Sequence, residues 1–203
     1  MKRQTATQQT VFNDQEFADR YARKHLKMAR KFGREYSEKL KNHGFQKGRI
    51  LDAGCGFGET LHYLAKNFPE TELIGMDLSE PLLEIARSHN SQSDFLNKIE
   101  FINADVHNIP YPDEYFDVVL SINMVHLVDD PLKMLQELER VLHKNGYLFI
   151  ADIRRSWLGY LEKEFKSGLT VEEARKLFSE TDLREGNLTS GLLWWRLEIN
   201  GSS

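Results

Sequence analysis

The 203-residue sequence has a single cysteine, Cys55. One cysteine excludes an internal disulfide framework and a multi-cysteine zinc site. The sequence also lacks an apolar run long enough to cross a bilayer, and its first residues are polar, unlike the apolar core of a secretion signal. We therefore expect a cytoplasmic protein with no membrane span.

Repeats, linkers and low-complexity segments are absent as well, and 40% of the residues are hydrophobic. This length and composition predict one globular domain over residues 1–203. The charge is uneven, because residues 1–50 hold 13 Lys and Arg against 5 Asp and Glu, whereas the remainder holds 14 against 26. A basic N-terminal region is typical either of an arm for anionic partners or of a solvated helix face.

Apolar side chains recur every three or four residues across most of 12–42, which predicts an amphipathic N-terminal helical cap made of one helix or two. Asn13 followed by Glu16 resembles a capping box at its start. The cap either covers the sheet or acts as a lid, with Tyr21 or His25 reaching towards a ligand.

Strand-like and helical patterns alternate through the middle of the chain. Five strands are predicted there, at 49–53, 72–77, 99–103, 116–121 and 147–152, the last entered through an Asn145-Gly146 turn. Helices are predicted at 156–166 and 170–178, and strands at 183–189 and 192–199 around Ser190-Gly191. The predicted fold class is α/β, with a mostly parallel seven-stranded sheet that ends in an antiparallel hairpin.

Three alternating glycines, Gly54, Gly56 and Gly58, connect the first strand to the helix after it. Glycine tolerates positive φ, and without a Cβ it lets a ligand approach the backbone closely. Ligands of open α/β sheets bind at the carboxyl ends of the strands, where this turn lies. The glycine turn is therefore the predicted binding site.

Three carboxylates accompany three successive strands. Asp52 lies in the glycine turn, Asp77 ends the second strand, and Asp105 follows the third. An acid at the end of the second strand is placed to accept hydrogen bonds from ribose hydroxyls. Each acid alone could instead cap the turn, start a helix or lie in a solvated loop.

The glycine spacing narrows the class of ligand. The dinucleotide fingerprint is G-x-G-x-x-G, whereas this turn reads G-x-G-x-G and continues with Glu59, which would repel a pyrophosphate. We therefore predict a nucleoside with a cationic or zwitterionic tail, whose ammonium group Asp52 could attract. A nicotinamide-dependent oxidoreductase and a catalytically silent nucleoside-binding protein are the alternatives.

From Ile50 to Asp152 the sequence resembles the class I S-adenosylmethionine-dependent methyltransferases of the small-molecule, type 11-like group. The motifs that carry the resemblance are LDAGCGFGE, GMDLSEPLLEIAR, NADVHNIPYPDEYFDVVLS and LVDDPLKMLQELERVLHKNGYLFIAD. The resemblance implies a Rossmann-like three-layer sandwich, S-adenosylmethionine as the cofactor, and in-line methyl transfer to a small-molecule acceptor.

The resemblance also implies a set of cofactor-binding residues: Asp52, Gly54, Gly56, Asp77, Leu78, Ala104, Asp105, Val106 and Asn123. In this set Asp77 would bind the ribose hydroxyls, and Leu78 would pack on the adenine. Asp105 would accept a hydrogen bond from the adenine amine, with the Val106 amide nearby. Asn123 would line the methyl end of the cofactor.

No catalytic residue is assigned, because transfer from a sulfonium needs a base only when the acceptor must lose a proton. The candidates for such a base are His126 and Tyr21, and for His126 we favour a structural role.

No metal is predicted, because His62, His89 and His107 have no partner ligands at suitable sequence spacing. The sequence shows no interleaving of aromatic and basic residues that would indicate nucleic acid. A small molecule is the expected partner, and an anionic or lipid-like acceptor fits the basic N-terminal region. The sequence does not predict the oligomeric state.

Overall fold

The computed structural model describes residues 13–91, 99–156 and 163–201. The chain divides into two compact units between Asp105 and Val106. Among the described residues, no helix combines the length and the apolarity that a membrane crossing needs. The prediction of one domain over 1–203, with a cap at 12–42, stays a prediction.

The described part of the first unit alternates helices with parallel strands. In chain order its elements are α1 (Gln15–Asn42), β1 (Arg49–Ala53), α2 (Glu59–Asn67), β2 (Glu72–Asp77), α3 (Glu80–Ser91) and β3 (Ile99–Asn103). The strands lie in the order β3-β2-β1, with β2 parallel to both neighbours. All three have the predicted bounds, because each is a short apolar run between charged or turn-forming residues.

The long helix α1 covers α2 and α3 with one face, on which Ala18, Phe32, Tyr36 and Leu40 are buried. The side chain of Asp14 accepts the Phe17 amide at 2.7 Å and caps the helix. The prediction that Asn13 is the capping residue is therefore wrong by one position.

The described part of the second unit begins with a parallel pair of strands and ends with the predicted antiparallel hairpin. Its elements are β4 (Phe116–Ile122), α4 (Pro131–Val141), β5 (Leu142–Ile153), α5 (Val171–Ser179), β6 (Asn187–Ser190) and β7 (Trp194–Ile199). The strands lie in the order β4-β5-β7-β6, and β7 is antiparallel to both of its neighbours. The described chain thus contains a seven-stranded, mostly parallel sheet, which confirms the predicted α/β fold class.

The predicted Asn145-Gly146 turn lies inside β5 instead of before it. Phe116 pairs with Leu142, whereas Val118 pairs with Tyr147, so the extra residues of β5 form a bulge between these two pairs. A Cβ on Gly146 would lie 2.7 Å from Leu142 Cδ1, which explains the glycine in the bulge.

The bounds of the hairpin also differ from the prediction. β6 begins at Asn187 instead of 183, because its ladder with β7 covers 187–190. β7 begins at Trp194, since Leu192 and Leu193 lie exposed in the connection. Residues 157–162 of the helix predicted at 156–166 lie outside the described residues, and a short 3-10 helix follows at Lys163–Lys166.

Candidate functional site

The glycine turn between β1 and α2 is anchored to the end of β2. Gly54, Gly56 and Gly58 have φ angles of 86°, 53° and 74°, a region that residues with a Cβ rarely adopt. The N–H groups of Gly54 and Cys55 donate to the Met76 carbonyl at 2.8 and 3.0 Å. The turn therefore requires glycine at all three positions for its backbone conformation, as predicted.

Asp77 ends β2 and holds the glycine turn with its carboxylate. Its Oδ2 accepts the Gly56 N–H at 2.9 Å, and its Oδ1 accepts the Ser79 N–H at 2.9 Å. Burial raises the pKa of Asp77 above its usual value, and the amide hydrogen bonds oppose this rise. Each carboxylate oxygen has a second lone pair, so Asp77 can also accept hydrogen bonds from a ligand.

Asp52 is a buried carboxylate that lies within β1 and not in the glycine turn, where the sequence analysis had placed it, because the strand continues to Ala53. The residue is 2% exposed, and its Oδ1 receives no hydrogen bond from the described residues. Burial, followed by the charge of Asp77, raises the pKa of Asp52 to about 7. Because a buried acceptor without a donor is unfavourable, a cationic or hydrogen-donating ligand group would stabilise this position.

Hydrogen bonds join the loops that follow β2 and β3. The Asn103 side-chain amide donates to the Leu78 carbonyl at 3.0 Å, and the Ala104 N–H donates to the Asp77 carbonyl at 3.2 Å. The apolar Leu78 is 48% exposed, and Asp105, the next residue after Ala104, is partly buried. The structure thus brings these predicted site residues to one edge of the first unit.

Val106 and Asn123 belong to the second unit. Val106 is buried, and Asn123 directly follows β4 with a φ of 62°, which is uncommon for a residue other than glycine. The Asn123 Oδ1 is buried and has no hydrogen-bond partner among the described residues. Strain together with an unsatisfied acceptor is typical of functional positions. The cofactor contacts of Val106 and Asn123 stay predictions.

His126 lies in a buried pair with Asp152, a partner that the sequence analysis did not identify. His126 Nδ1 lies 2.7 Å from one carboxylate oxygen of Asp152, and the His126 backbone N–H donates to the other at 3.0 Å. His126 is 3% exposed, and Asp152 is fully buried. These contacts favour the structural role for His126.

Tyr21, the other candidate base, is partly buried on α1. It packs against a cluster of Ala18, Phe57 and Leu82, in which Phe57 comes from the glycine turn. The ring of His25 stacks on Tyr21 with a centroid distance of 4.3 Å. α1 therefore covers an apolar side of the turn through these contacts.

The structure also gathers three potential metal ligands that the sequence spacing did not reveal. One ligand atom each of Glu59, His62 and His89 lies within 4.8 Å of the others. The expectation that no metal binds was based on sequence spacing, in which the histidines had no partner ligands. The structure gives His62 and His89 such partners, so this reason no longer holds. The spacing of Glu59 and His62, three residues apart on a helix, is the signal that could have indicated the cluster.

Residues 51–150 match the family described as methyltransferase domain. Over 109 residues the chain is 34% identical to phthiotriol/phenolphthiotriol dimycocerosates methyltransferase 1 of Mycobacterium ulcerans, with 53% of this chain and 38% of that enzyme covered. Over 106 residues it is 33% identical to fatty-acid O-methyltransferase of Mycolicibacterium smegmatis, with 52% and 37% covered. The matches span less than half the length of these relatives.

Two solved structures share the fold over almost the whole chain. A Methanococcus maripaludis protein, described as a candidate S-adenosyl-L-methionine-dependent methyltransferase, has a TM-score of 0.79 at 20% identity, with 100% of this chain and 98% of that chain covered. The plantazolicin methyltransferase BpumL, in complex with SAH and a triazolic desmethylPZN analog, has a TM-score of 0.76 at 19% identity, with 96% and 94% covered. This similarity confirms the predicted Rossmann-like architecture.

Proposed function

We propose that this chain, in which residues 51–150 match a methyltransferase-domain family, is a class I S-adenosylmethionine-dependent methyltransferase that transfers a methyl group to a small-molecule acceptor. We assign the cofactor to the glycine turn at the carboxyl ends of β1, β2 and β3. The cofactor presents an ammonium group, two ribose hydroxyls and an adenine, and the first unit offers a suitable group for each.

The observation that carries this proposal is the Oδ1 of Asp52, which lies in β1 two residues before the first glycine of the turn and has no hydrogen-bond partner among the described residues. Burial disfavours the charged form of this carboxylate, and a ligand ammonium would supply the missing partner. A pyrophosphate would instead meet the carboxylates of Asp52 and Asp77, and that of Glu59 at the start of α2. The residues therefore fit a nucleoside with a zwitterionic tail and disfavour a dinucleotide.

The remaining contacts follow from the two loops beyond the turn. We assign the ribose hydroxyls to Asp77, the adenine face to the exposed side chain of Leu78, and the adenine amine to Asp105. At Gly56 a Cβ would meet only Leu82 Cδ1 within 4 Å, at 4.0 Å. The backbone at this turn position is therefore open to close approach by the methionine portion.

Bound S-adenosylmethionine supplies a methyl group that its sulfonium already activates. The chain then has to hold the donor, align the acceptor and exclude water from the reacting atoms. Asp52 and Asp77 perform the first task, and α1 shields the turn through Phe57. We assign no general base, because His126 is buried against Asp152.

For the acceptor we propose a lipid-like molecule with a hydroxyl or carboxyl group. Two relatives of the central segment are named as a fatty-acid O-methyltransferase and a phthiotriol/phenolphthiotriol dimycocerosates methyltransferase. The excess of Lys and Arg within residues 1–50 would favour an acceptor with negative charge.

The test is transfer of a radiolabelled methyl group from S-adenosylmethionine to a panel of fatty acids, hydroxylated lipids and water-soluble acids. At a limiting cofactor concentration we expect label in a lipid product with the wild-type chain and with Asp129→Ala, an exposed control, and much less label with Asp77→Ala. Cofactor binding without transfer to any class would support the silent-binding alternative instead. Binding of NAD in place of S-adenosylmethionine would overturn the site assignment.

A further inference from the structure

A carboxylate and two imidazoles converge between α2 and α3, and none of the three is assigned to the cofactor. Glu59 and His62 lie three residues apart on α2, and His89 lies near the end of α3. Their potential ligand atoms lie within 4.8 Å of one another, and the two imidazole centroids are 6.2 Å apart. The cluster therefore depends on the packing of two helices and not on one local sequence.

One imidazole nitrogen of His62, the buried Nε2, has no hydrogen-bond partner among the described residues. Phe101 packs edge-on against the ring at a centroid distance of 5.9 Å. Metal ions bind imidazole through a ring nitrogen that carries no proton. A metal ion would supply the partner that this nitrogen lacks.

The carboxylate of Glu59 is already oriented by a neighbouring helix. Arg30 of α1 donates its Nε–H to Glu59 Oε1 at 2.7 Å. Outer contacts of this kind commonly position the carboxylate ligands of metal sites. The second oxygen of Glu59 remains for a metal ion. Because Arg30 is positively charged, the affinity of Glu59 for the ion is lower than that of an isolated carboxylate.

We propose that Glu59, His62 and His89 bind a divalent transition-metal ion, with Zn²⁺ as the probe. Two imidazoles and one carboxylate form a ligand set that Zn²⁺ accepts, with one further position for water. Mg²⁺ and Ca²⁺ prefer oxygen ligands, so the site discriminates against them. This proposal does not depend on the proposed methyl transfer.

Binding requires a small adjustment of the cluster. Zinc bonds of about 2.0–2.1 Å place the ligand atoms of a tetrahedral site roughly 3.4 Å apart. His89 is exposed, so its side chain can move the additional distance without disturbing the core. The ion would then join the first turn of α2 to the end of α3 and stabilise the folded state by an amount that rises with the logarithm of the free ion concentration above the dissociation constant.

The experiment titrates Zn²⁺, and separately Mg²⁺, into the full chain with no affinity tag attached. We expect one Zn²⁺ per chain, no Mg²⁺ binding, and a rise in melting temperature with Zn²⁺. His89→Ala should weaken Zn²⁺ binding by at least about 10–100-fold, the loss already typical when an outer contact of a metal site is removed. His43→Ala, which removes another exposed histidine, should bind as the wild type does.

His62→Gln and Co²⁺ provide the second line of the test. Co²⁺ should show the visible absorption of a four-coordinate site in the wild-type chain and lose it in His89→Ala. If His62→Gln fails to fold, His89→Ala decides alone, because its side chain is exposed. Absence of Zn²⁺ binding, or equal affinity in the wild type and His89→Ala, would overturn the proposal.

Discussion

The Asp77 carboxylate accepts the N–H of Gly56 at 2.9 Å, so the residue that ends β2 fixes the turn that follows β1. Its other oxygen accepts the Ser79 N–H near the start of α3. The carboxylate assigned to the ribose thus also maintains the conformation of the turn. Ligand affinity and stability should therefore change together when Asp77 is replaced.

Asp77→Ala tests this double role. It removes two amide hydrogen bonds to a charged group, and we expect the free energy of unfolding to fall by about 1–3 kcal/mol. Loss of charge-assisted bonds to the ribose should weaken binding of S-adenosylhomocysteine by about 10–100-fold. Urea denaturation and calorimetric titration measure the two effects. The exposed Asp129 provides the control as Asp129→Ala, and unchanged affinity in Asp77→Ala would remove Asp77 from the site.

Asp52→Asn should make the ligand-free protein more stable at neutral and higher pH. The pKa of Asp52 is raised from 3.8 to about 7, so the folded chain retains a proton that the unfolded chain releases. The stability that this proton provides is complete below about pH 4 and is lost as the pH rises to 7. The neutral amide should therefore raise the free energy of unfolding by up to about 4 kcal/mol at pH 8, and much less at pH 4. Urea denaturation at both pH values checks the sign, and a less stable variant at pH 8 would contradict it.

Binding of S-adenosylhomocysteine should depend on pH through the same carboxylate. The ligand ammonium favours ionised Asp52, so binding below pH 7 should release a proton. As the pH rises from roughly 5.5 to 6.5, we expect the dissociation constant to fall by up to about tenfold per pH unit. Above pH 7 it should level off, because Asp52 is then already ionised. Calorimetry in buffers of different ionisation enthalpy counts the proton. Asp52→Asn should lose most of this dependence, and a wild-type profile flat over the same range would argue against the assignment.

Gly58→Ala and Gly44→Ala form a matched pair, because both glycines have φ near 75°. A Cβ on Gly58 would lie 2.7 Å from Phe101 Cζ and 3.0 Å from Ala86 Cβ, whereas a Cβ on Gly44 meets nothing within 4 Å. Gly44→Ala should cost about 1–2 kcal/mol of unfolding free energy from backbone strain alone. Gly58→Ala should cost roughly 1–3 kcal/mol more, from overpacking. Equal losses in the two variants would show that contact with Phe101 is not the reason for glycine at position 58.

The sequence predicted the elements whose limits are set locally. β1, β2 and β3 are apolar runs between charged residues and turns, and their bounds match the prediction. β5 and β6 differ because their limits depend on the partner strand: a bulge extends β5 back to Leu142, and the ladder to β7 shortens β6. Local patterns do not contain this pairing information.

The same distinction applies to the candidate site. The position of Asp52, Asp77 and Asp105 at strand ends follows from the alternation of strands and helices. The alternation does not reveal that Asp52 Oδ1 lacks a hydrogen-bond partner among the described residues, because this depends on which donors the folded chain brings near it. The alternation does not predict that His62 and His89 converge either, because the packing of α2 against α3 brings them together.

The most direct test is calorimetric titration of the wild-type chain and of Asp52→Asn with S-adenosylhomocysteine, and of the wild type with NAD. We predict one site per chain for S-adenosylhomocysteine, no binding of NAD, and weaker binding in Asp52→Asn although that variant is the more stable protein. Competition of NAD for the same site, or undiminished affinity in Asp52→Asn, would contradict the account.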